Sequence, residues 1–433
     1  MSFAAPACDV GEHSGADGGG GSAAGGGSGG SGGYGAFPVG SCDCGEPSQP
    51  FGSHALAYAS GTVLPSGPLG KLDADTRAFY DDWKAAYLKQ GCGDGRYYVA
   101  FDGGALTVSE AHGFGMVILA MIAGHDPDAK TEFDGMLGYF EDHPSDIDPG
   151  LMAWSQDGDC KDSQNDSSSA TDGDLDIAYA LLLADKQWGS CNGIDYQSKA
   201  ADLLGAIRRS EVDETGAYVL LGDWVAKGAS HYDATRSSDF MPGHFASFAD
   251  ATGDSLWGGV ADASYAMFAA VQAAHSPDTG LLPDFVQDPL GKPRPASPNF
   301  LEHDTDGAYS YNACRDPWRI ASQFLTTGDA RSKELVQKLN DFARGAAAGD
   351  AWSLKAGYSL DGSPLGDYLS LAFVAPFGVG ALLDPDHPEW VDATWDVVKS
   401  QGLEGYYGDT IKMLAMIAMS GNWWAPEQVP CKK

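Results

Sequence analysis

Amphipathic helical periodicity recurs along almost the whole chain from Pro50 onward, and this repetition leaves little of the sequence for sheets. Alternating strand patterns are scarce, and the best short candidates are residues 97–100 and 217–221. No helical segment reaches the length of a coiled coil, so the repetition predicts an all-α domain built as a helical barrel or toroid. The clearest helical segments, bounded by loops of Gly, Pro and Asp, are residues 73–89, 109–123, 174–186, 197–210, 257–274, 317–326, 332–346, 367–374 and 407–419.

The first part of the chain has a different composition. Residues from about 11 to 40 are mostly Gly and Ser, and such a segment buries too little apolar surface to become ordered. From Pro50 the composition is that of a globular protein, and no second linker follows. The sequence therefore predicts a flexible N-terminal segment, residues 1–47, and one globular domain, residues 48–433.

The charge of the chain excludes some partners. Sixty acidic residues against 26 basic ones give a formal net charge of −34. Such a surface repels nucleic acids and anionic membranes and attracts cationic polymers, although solubility or a saline habitat explains the same charge. No apolar run is long enough to predict a membrane span. No metal and no cofactor are expected, because no His pair at metal spacing, Gly-rich phosphate loop or nucleophile elbow is present.

The eight cysteines give no zinc motif, and their even number fits an oxidised, secreted protein, although no signal peptide is visible at Met1-Ser2-Phe3. The pairing cannot be read from the sequence, but two pairs are candidates. Cys160 and Cys191 flank one predicted helix, and a closed helical ring would bring Cys92 and Cys431 together. Cys314 is expected to be a buried free thiol.

Three carboxylates crowd the start of a strongly apolar segment at residues 169–189, namely Asp172, Asp174 and Asp176. The helix dipole favours one or two acidic side chains in a first turn. A third, after the capping residues Ser169 and Thr171, indicates a cluster with a chemical role. The segment resembles the signature of glycoside hydrolase family 8, whose members are inverting enzymes that cut β-1,4-linked polysaccharides. The resemblance implies an (α/α)6 barrel with a cleft at one end.

A second motif lies at residues 107–116. By itself it is a helix start with Glu110 in the first turn, but Gly113 and Gly115 cost helix stability unless a close approach requires them. The segment resembles the family motif Ser-Glu-Gly/Ala-x-Gly-x-Gly-Met, whose Glu is the general acid. The resemblance implies that Glu110 is this acid, with a raised pKa, and that Asp172 binds and distorts the sugar at the cleavage point. His112, in the same motif, is placed among the substrate-binding residues.

The third motif, residues 309–320, is similar to the family pattern Tyr-Asp-x-x-Arg-x-Pro-Trp-Arg but has Asn312 where the common form has the catalytic base. Asparagine cannot take a proton from water at neutral pH. One subfamily, which includes chitosanases and mixed-linkage glucanases, has Asn there and takes its base from a preceding loop. By that resemblance the base is Glu302, with Asp304 and Asp306 as alternatives.

Further residues are assigned to substrate binding. Tyr311 and Arg315 belong to the third motif, where Arg315 is expected to hold a carboxylate or a sugar hydroxyl and Asn312 to orient the attacking water. Trp154 matches a position at which the family stacks a ring on a sugar. Asp239 either meets a glucosamine ammonium group, helps the base, or pairs with Arg236 inside the fold.

The sequence therefore predicts a secreted, monomeric, inverting endo-β-1,4-glycanase. Chitosan is the first substrate, because of the trait at Asn312 and the acidic surface; β-1,3-1,4-glucan and cellulose are alternatives, and dual activity is possible. The two catalytic carboxyls are expected to lie about 6.5–9.5 Å apart, which leaves room for a water molecule. Asn312 also permits an inactive glycan-binding protein, and a cell-surface structural protein is a third, weaker interpretation.

Overall fold

The computed structural model describes residues 44–163, 167–190 and 193–430, so most of the predicted segment 1–47 lies outside the described residues. The described part contains twelve α-helices: α1 Leu69–Tyr87, α2 Ser109–Ile122, α3 Ala129–Asp142, α4 Thr171–Trp188, α5 Tyr196–Ser210, α6 Pro242–Thr252, α7 Ser255–His275, α8 Asp316–Thr327, α9 Ala330–Ala346, α10 Leu371–Ala381, α11 Pro388–Ser400 and α12 Tyr406–Met419. It also contains seven short strands: β1 Leu88–Gln90, β2 Tyr97–Val99, β3 Thr107–Val108, β4 Ser155–Gln156, β5 Ala234–Arg236, β6 Phe285–Gln287 and β7 Arg294–Pro295.

The even-numbered helices form a closed inner ring. Each packs against the next even-numbered helix, from α2 through α12, and α12 returns to α2. The odd-numbered helices lie outside: α3, α5, α7, α9 and α11 each pack against the inner helix that precedes them, and α1 packs against α12. This arrangement is the predicted all-α (α/α)6 barrel.

Burial follows from these positions. All residues of α10 and all but Lys186 of α4 are buried, as expected for helices enclosed on every side, whereas α5 is amphipathic and buries one face. Of the two glycines of the second motif, Gly113 allows α2 to approach α4, and Gly115 allows it to approach Val99 of β2 and Met136 of α3. A Cβ atom at Gly113 would lie 2.6 Å from the Cβ of Asp176. The close approach that two helix glycines require is therefore present.

The links between helices are unequal at the two ends of the barrel. The links that lead from an outer helix into an inner one are mostly long, such as the 40 residues 276–315 between α7 and α8, and they contain all seven strands. The links that return from an inner helix to an outer one are short, with two residues between α6 and α7 and two between α8 and α9. The long links therefore gather at the N-terminal ends of the inner helices.

The strands pair within and between these long links. β1 pairs with β2, β3 with β4, and β6 lies between β5 and β7, all antiparallel. The predicted strand 97–100 corresponds to β2, but the predicted strand 217–221 is wrong, because only an isolated bridge joins Val212 to Val219 there. The carboxylate of Asp213 accepts the backbone N–H groups of Ala217 and Tyr218, which a strand ladder would otherwise use.

At the opposite end of the barrel, residues 48–66 form an N-terminal strap across the C-terminal ends of the inner helices. Backbone N–H groups of the strap donate hydrogen bonds to the ends of five of the six inner helices. These bonds join Ser48 to Gln187, Phe51 to Ala123, Gly52 to Asn422, Ala59 to Leu325 and Val63 to Leu382.

A disulfide joins Cys92 to Cys160, with 5.4 Å between their Cα atoms. Both expected pairings, Cys160 with Cys191 and Cys92 with Cys431, are therefore wrong; Cys191 and Cys431 themselves lie outside the described residues. The bond forms because the pairing of β3 with β4 brings the link before α2 beside the link before α4. Cys314 is a buried free thiol, as predicted.

Candidate active site

The predicted site residues lie at the N-terminal ends of the inner helices, on the face that carries the long links. Glu110 stands in the first turn of α2, and Asp172 stands in the first turn of α4. The short pairing of β3 with β4 fixes the start of α2, where the backbone N–H of Ser109 donates to the carbonyl of Trp154 at 2.8 Å. Trp154, which is partly exposed, therefore lies beside the turn that carries Glu110.

Arg315 connects these carboxylates. It ends a short 3-10 helix, Ala313–Arg315, and its side chain is 1 % exposed. Its Nη1 donates to Glu110 Oε2 at 2.6 Å and to Asp172 Oδ2 at 2.9 Å. Its Nη2 donates to Ser238 Oγ at 2.7 Å and to Asn312 Oδ1 at 2.9 Å. The planar guanidinium thus uses both terminal nitrogens within the site.

Glu110 has the environment of a proton donor. Burial raises the pKa of its carboxyl group to about 7, although the charge of Arg315 opposes the rise. The hydroxyl of Tyr406 donates to its Oε1 at 3.1 Å and also favours the ionised form. A carboxyl group with this pKa keeps its proton in slightly acidic solution and can release it during a reaction.

Asp172 has the opposite character. Burial opposes its ionisation, but the charges of Arg236 and Arg315 overcome that effect and hold its pKa below the ordinary value. Its Oδ2 lies 2.9 Å from Arg315 Nη1 and 3.9 Å from Arg236 Nη1. Asp172 is therefore expected to carry a negative charge beside Glu110 at neutral pH.

Glu302 lies between two donors. Arg236 Nη2 donates to its Oε1 at 2.9 Å, and Asn312 Nδ2 donates to its Oε2 at 2.7 Å. Its side chain is 5 % exposed. The amide of Asn312 thus accepts from Arg315 and donates to Glu302. A continuous chain of contacts runs from Glu110 through Arg315 and Asn312 to Glu302.

The other two acidic residues of this loop are placed differently. Asp306 is buried, and its carboxylate accepts the backbone N–H groups of Leu301, Glu302 and His303 at 2.7–3.1 Å. Asp306 therefore shapes the turn that presents Glu302. Asp304 is exposed. Of the three candidates, only Glu302 contacts both Arg236 and Asn312.

Asp239 is the last residue of the 3-10 helix Ser237–Asp239 and is buried. Its side chain is 0 % exposed, and Arg236 Nη1 lies 3.6 Å from its Oδ2. Burial raises the pKa of its carboxyl group to about 7. Of the three roles considered, this position favours a partner for Arg236 inside the fold over a contact with a sugar ammonium group.

His112 does not join the other predicted residues. Its ring is fully buried against Tyr139, and its Nε2 lies 2.8 Å from the carbonyl oxygen of Met136. Burial lowers the pKa of the imidazole to about 4. The helical geometry explains the difference, because a residue two positions after Glu110 points to another side of α2. The substrate contact expected for His112 is therefore not supported.

Tyr311 is partly exposed and lies next to Asn312 in the chain. Its carbonyl accepts a hydrogen bond from the hydroxyl of Tyr407. Tyr406 and Tyr407, at the start of α12, are functional candidates that the motifs do not include. A pair of tyrosines at the start of a largely apolar helix is the signal that could have indicated them.

The buried Asp174 stabilises the segment that carries Trp154. Its Oδ1 accepts the backbone N–H of Met152 at 3.0 Å, which fixes the segment that carries Trp154. Asp176 instead binds Arg319 of α8 and His244 of α6, so this ion cluster holds three inner helices together.

Within residues 44–163, 167–190 and 193–430, no three His, Cys, Asp or Glu side chains are grouped so that they could hold a metal ion.

Comparisons with known proteins find similarity over most of the chain. A family model described as glycosyl hydrolases family 8 matches residues 69–421. A beta-glucanase of Niallia circulans is 43 % identical over 379 residues, which are 87 % of this chain and 92 % of the relative. An endoglucanase of Bacillus sp. (strain KSM-330) is 38 % identical over 367 residues, which are 82 % of this chain and 77 % of the relative.

A solved structure is similar over nearly the same region. The apo structure of a beta-1,3-1,4-glucanase from Paenibacillus sp. X4 superimposes with a TM-score of 0.85 at 43 % sequence identity. The match covers 88 % of this chain and 100 % of the solved chain.

Proposed function

The chain belongs to glycosyl hydrolases family 8, and on that premise we propose that it is a secreted, inverting endo-β-glucanase that hydrolyses mixed-linkage β-1,3-1,4-glucan. The observation that carries the proposal is the contact chain from Glu110 through Arg315 and Asn312 to Glu302. It gives one site two carboxyl groups in different environments, which is what acid and base roles require.

In this mechanism Glu110 is the general acid. Its proton passes to the glycosidic oxygen as the bond between that oxygen and the anomeric carbon breaks. The raised pKa of Glu110, which burial causes, keeps the proton in place until then. Asp172 stays ionised beside Arg315, and its charge stabilises the positive charge that develops on the sugar ring.

Glu302 is the general base. A water molecule attacks the anomeric carbon from the opposite face, and its proton passes to Glu302. Asn312 and Arg236 each donate to one carboxylate oxygen, and the further lone pair on each oxygen remains for the water. Two side chains, Arg315 and Asn312, separate Glu302 from Glu110, which favours the wide spacing of an inverting enzyme.

Mixed-linkage glucan is the preferred substrate because proteins with glucanase names are 43 % identical to this chain over most of its length. Chitosan is the second candidate, and the net charge of −34 favours it because a polyanion attracts a cationic polymer. The buried position of Asp239 argues against a contact with a glucosamine ammonium group, which is one of the three roles open to this residue.

Secretion is supported by the disulfide between Cys92 and Cys160, because such bonds persist in oxidising compartments. In the part of the chain that the structure describes, no helix combines the length and the apolar character needed to cross a membrane. We also propose that the protein acts as a monomer.

The test measures release of reducing ends from mixed-linkage glucan, carboxymethyl cellulose, chitosan and xylan. The unmodified protein is compared with Glu110→Gln, Glu302→Gln and the matched control Asp304→Asn, which changes an exposed carboxylate on the loop of Glu302. We expect release from mixed-linkage glucan, a loss of about 100-fold or more in the first two variants, and no loss in the control. The first product formed should have the inverted anomeric configuration, as followed by NMR.

Other results would change the proposal in defined ways. Faster release from chitosan than from any glucan would make chitosan the substrate. Full activity of Glu302→Gln together with loss in Asp304→Asn would move the base to Asp304. A retained anomeric configuration would contradict the inverting mechanism. Binding of glucan without any release would favour a glycan-binding protein.

A further inference from the structure

Exposed apolar side chains are concentrated on the face of the barrel that carries the site. Seven large apolar residues are more than one-third exposed in the described part of the chain: Leu69, Ile147, Leu290, Trp352, Leu365, Tyr368 and Leu403. All but Leu69 lie in links that lead from an outer helix into an inner one. Exposed apolar groups that gather on one face often mark a binding surface.

Tyr368 is the member of this group that is bonded to a candidate site residue. It precedes α10 by three positions, and its hydroxyl lies 2.9 Å from the hydroxyl of Tyr311. Tyr311 is followed by Asn312, which contacts Glu302. Tyr368 therefore contacts the residue that directly precedes Asn312 in the chain.

A line of tyrosines leads from the acid to this ring. Tyr406 donates to Glu110, and its ring centroid lies 6.5 Å from that of Tyr407. The ring of Tyr407 lies 6.1 Å from that of Tyr311. Tyr406 is buried and Tyr368 is 50 % exposed, so the line runs from the interior of the site to its rim.

Hydrogen bonds fix the backbone at Tyr368, and the bond from its hydroxyl to Tyr311 positions the ring. The carbonyl of Tyr368 accepts the backbone N–H of Ala356 at 2.9 Å, and the carbonyl of Asp367 accepts Lys355 Nζ at 3.0 Å. The backbones of Tyr309 and Tyr358 exchange two hydrogen bonds of 2.9 Å, which ties this link to the third motif. A ring that is already positioned loses little conformational freedom when a ligand binds.

We propose that Tyr368 is an outer contact site for the polysaccharide, at which the exposed ring face stacks against a sugar unit beyond those bound at the catalytic residues. This inference rests on the proposed function. A sugar ring has apolar C–H faces, and the exposed face of an aromatic ring matches them. The bond to Tyr311 makes the outer site continuous with the cleft.

Trp352 provides a matched control. It lies in the same link and is also 50 % exposed, but it belongs to the 3-10 helix Ala351–Ser353, which packs against the outer helix α11. Replacing either residue by Ala removes one half-exposed aromatic ring. The proposal therefore predicts different consequences for two substitutions of the same kind.

The experiment compares Tyr368→Ala, Tyr368→Phe and Trp352→Ala with the unmodified protein. For each, kcat/KM is measured on mixed-linkage glucan and on a tetrasaccharide cut from it. We expect the ratio of polymer to tetrasaccharide to fall about five- to tenfold in Tyr368→Ala, which corresponds to about 1–1.4 kcal/mol. The ratio should be retained in Tyr368→Phe, which keeps the ring, and in Trp352→Ala.

A binding measurement separates this inference from the proposed function. Affinity electrophoresis through gels that contain the glucan compares the same substitutions in a Glu302→Gln background, in which the polymer is not consumed. Weaker retardation of Tyr368→Ala than of Trp352→Ala supports the outer site even where no cleavage is seen. Equal retardation together with an unchanged kinetic ratio overturns it. An equal loss in Tyr368→Phe and Tyr368→Ala also overturns it, because the hydroxyl and not the ring face would then carry the effect.

Discussion

Two carboxyl groups of one site receive different surroundings from the same few side chains. Glu110 is buried and carries a pKa of about 7, whereas Asp172, also buried, is kept ionised by Arg236 and Arg315. Asp172 has the guanidinium groups of both Arg236 and Arg315 beside it, whereas the negative charge of Asp172 opposes the ionisation of Glu110. Small changes at these contacts should therefore move the pH range of activity before they move the fold.

Tyr406→Phe tests this at the acid. The hydroxyl of Tyr406 stabilises the ionised form of Glu110, so its removal should raise the pKa of Glu110 further. The protonated acid is the active form; activity is present below this pKa and is lost as the pH rises through it. We expect the alkaline limb of kcat/KM against pH to move upward by about half a unit to one unit.

Tyr407→Phe is the control for this prediction, because Tyr407 donates to the carbonyl of Tyr311 and not to Glu110. Its alkaline limb should stay in place. An alkaline limb that moves downward in Tyr406→Phe would contradict the assignment of Glu110 as the group that titrates.

The Asn at position 312 suggests a second test, in which the base is moved. Glu302→Gln should lower kcat by about 100- to 10,000-fold, because general-base assistance is lost. Adding Asn312→Asp to that variant restores a carboxylate within the contact chain and should recover part of the loss. Asn312→Asp alone should be harmful, because it places a second negative charge beside Glu302, where Asn312 Nδ2 is now 2.7 Å away. Steady-state rates on mixed-linkage glucan measure all three variants.

The sequence indicated most of the residues that meet at the site but not all of their roles. Glu110, Asp172 and Arg315 stand in three distant motifs, and the structure joins them within hydrogen-bond distance. His112 shares a motif with Glu110 yet lies in the core, because neighbouring positions on a helix face different directions. Tyr406 was not indicated, since its link to Glu110 spans 296 residues and follows from closure of the ring.

At the scale of elements, local periodicity predicted nine of the helices and left out α3, α6 and α11. Helix α3 contains Gly135 and Gly138, which weaken a local helical pattern. A Cβ atom at Gly135 would lie 2.5 Å from Tyr97 Cδ2, so the glycine is needed for packing against β2.

The C-terminal end of α10 also differs from the prediction. The sequence pattern predicts an end before Pro376, yet the helix continues to Ala381. Packing against α8 and α12 outweighs the local cost of the proline.

The disulfide between Cys92 and Cys160 gives a prediction at this scale. It connects the link before α2 to the link before α4, and the second of these carries Trp154. Cys160→Ser should lower the free energy of unfolding by up to about 4 kcal/mol in the loop-entropy description, for a separation of 68 residues. It should also raise KM more than it lowers kcat, because Trp154 becomes less firmly placed. Thermal unfolding and steady-state kinetics measure the two effects.

Cys92→Ser and the double variant are the controls. Each removes the same bond, so the three proteins should unfold at nearly the same temperature and the effects should not add. A double variant much less stable than either single one would show that the thiols act through other contacts.

At the scale of the whole molecule, the two ends of the barrel have separate tasks. The long links surround the site at one end, and the N-terminal strap closes the other. Asn422 is central to that closure, because its Oδ1 accepts the N–H of Gly52 and its Nδ2 donates to Asp73. These bonds are buried or partly buried, so their loss leaves polar groups without partners.

Asn422→Ala should therefore destabilise the protein by about 1–3 kcal/mol, with kcat/KM unchanged at temperatures where it stays folded. Thermal unfolding and rates on mixed-linkage glucan test both halves of the prediction. Ser66→Ala is the comparison, since the bond from Ser66 Oγ to Asp392 is exposed and should contribute little. A change of pH profile in Asn422→Ala would mean that the two ends of the barrel are coupled.

The unequal links also bear on how such a barrel can acquire new specificities. Both ends of each long link are anchored on helices whose spacing the ring fixes. Under that restraint, doubling the length of a flexible link costs only about 0.6 kcal/mol of closure entropy. Insertions and deletions can therefore remodel the cleft while the folding of the ring is almost unaffected. Evolution, or a protein engineer, can exchange much of the recognition surface of this scaffold while Glu110 and Asp172, which stand on inner helices, stay where they are.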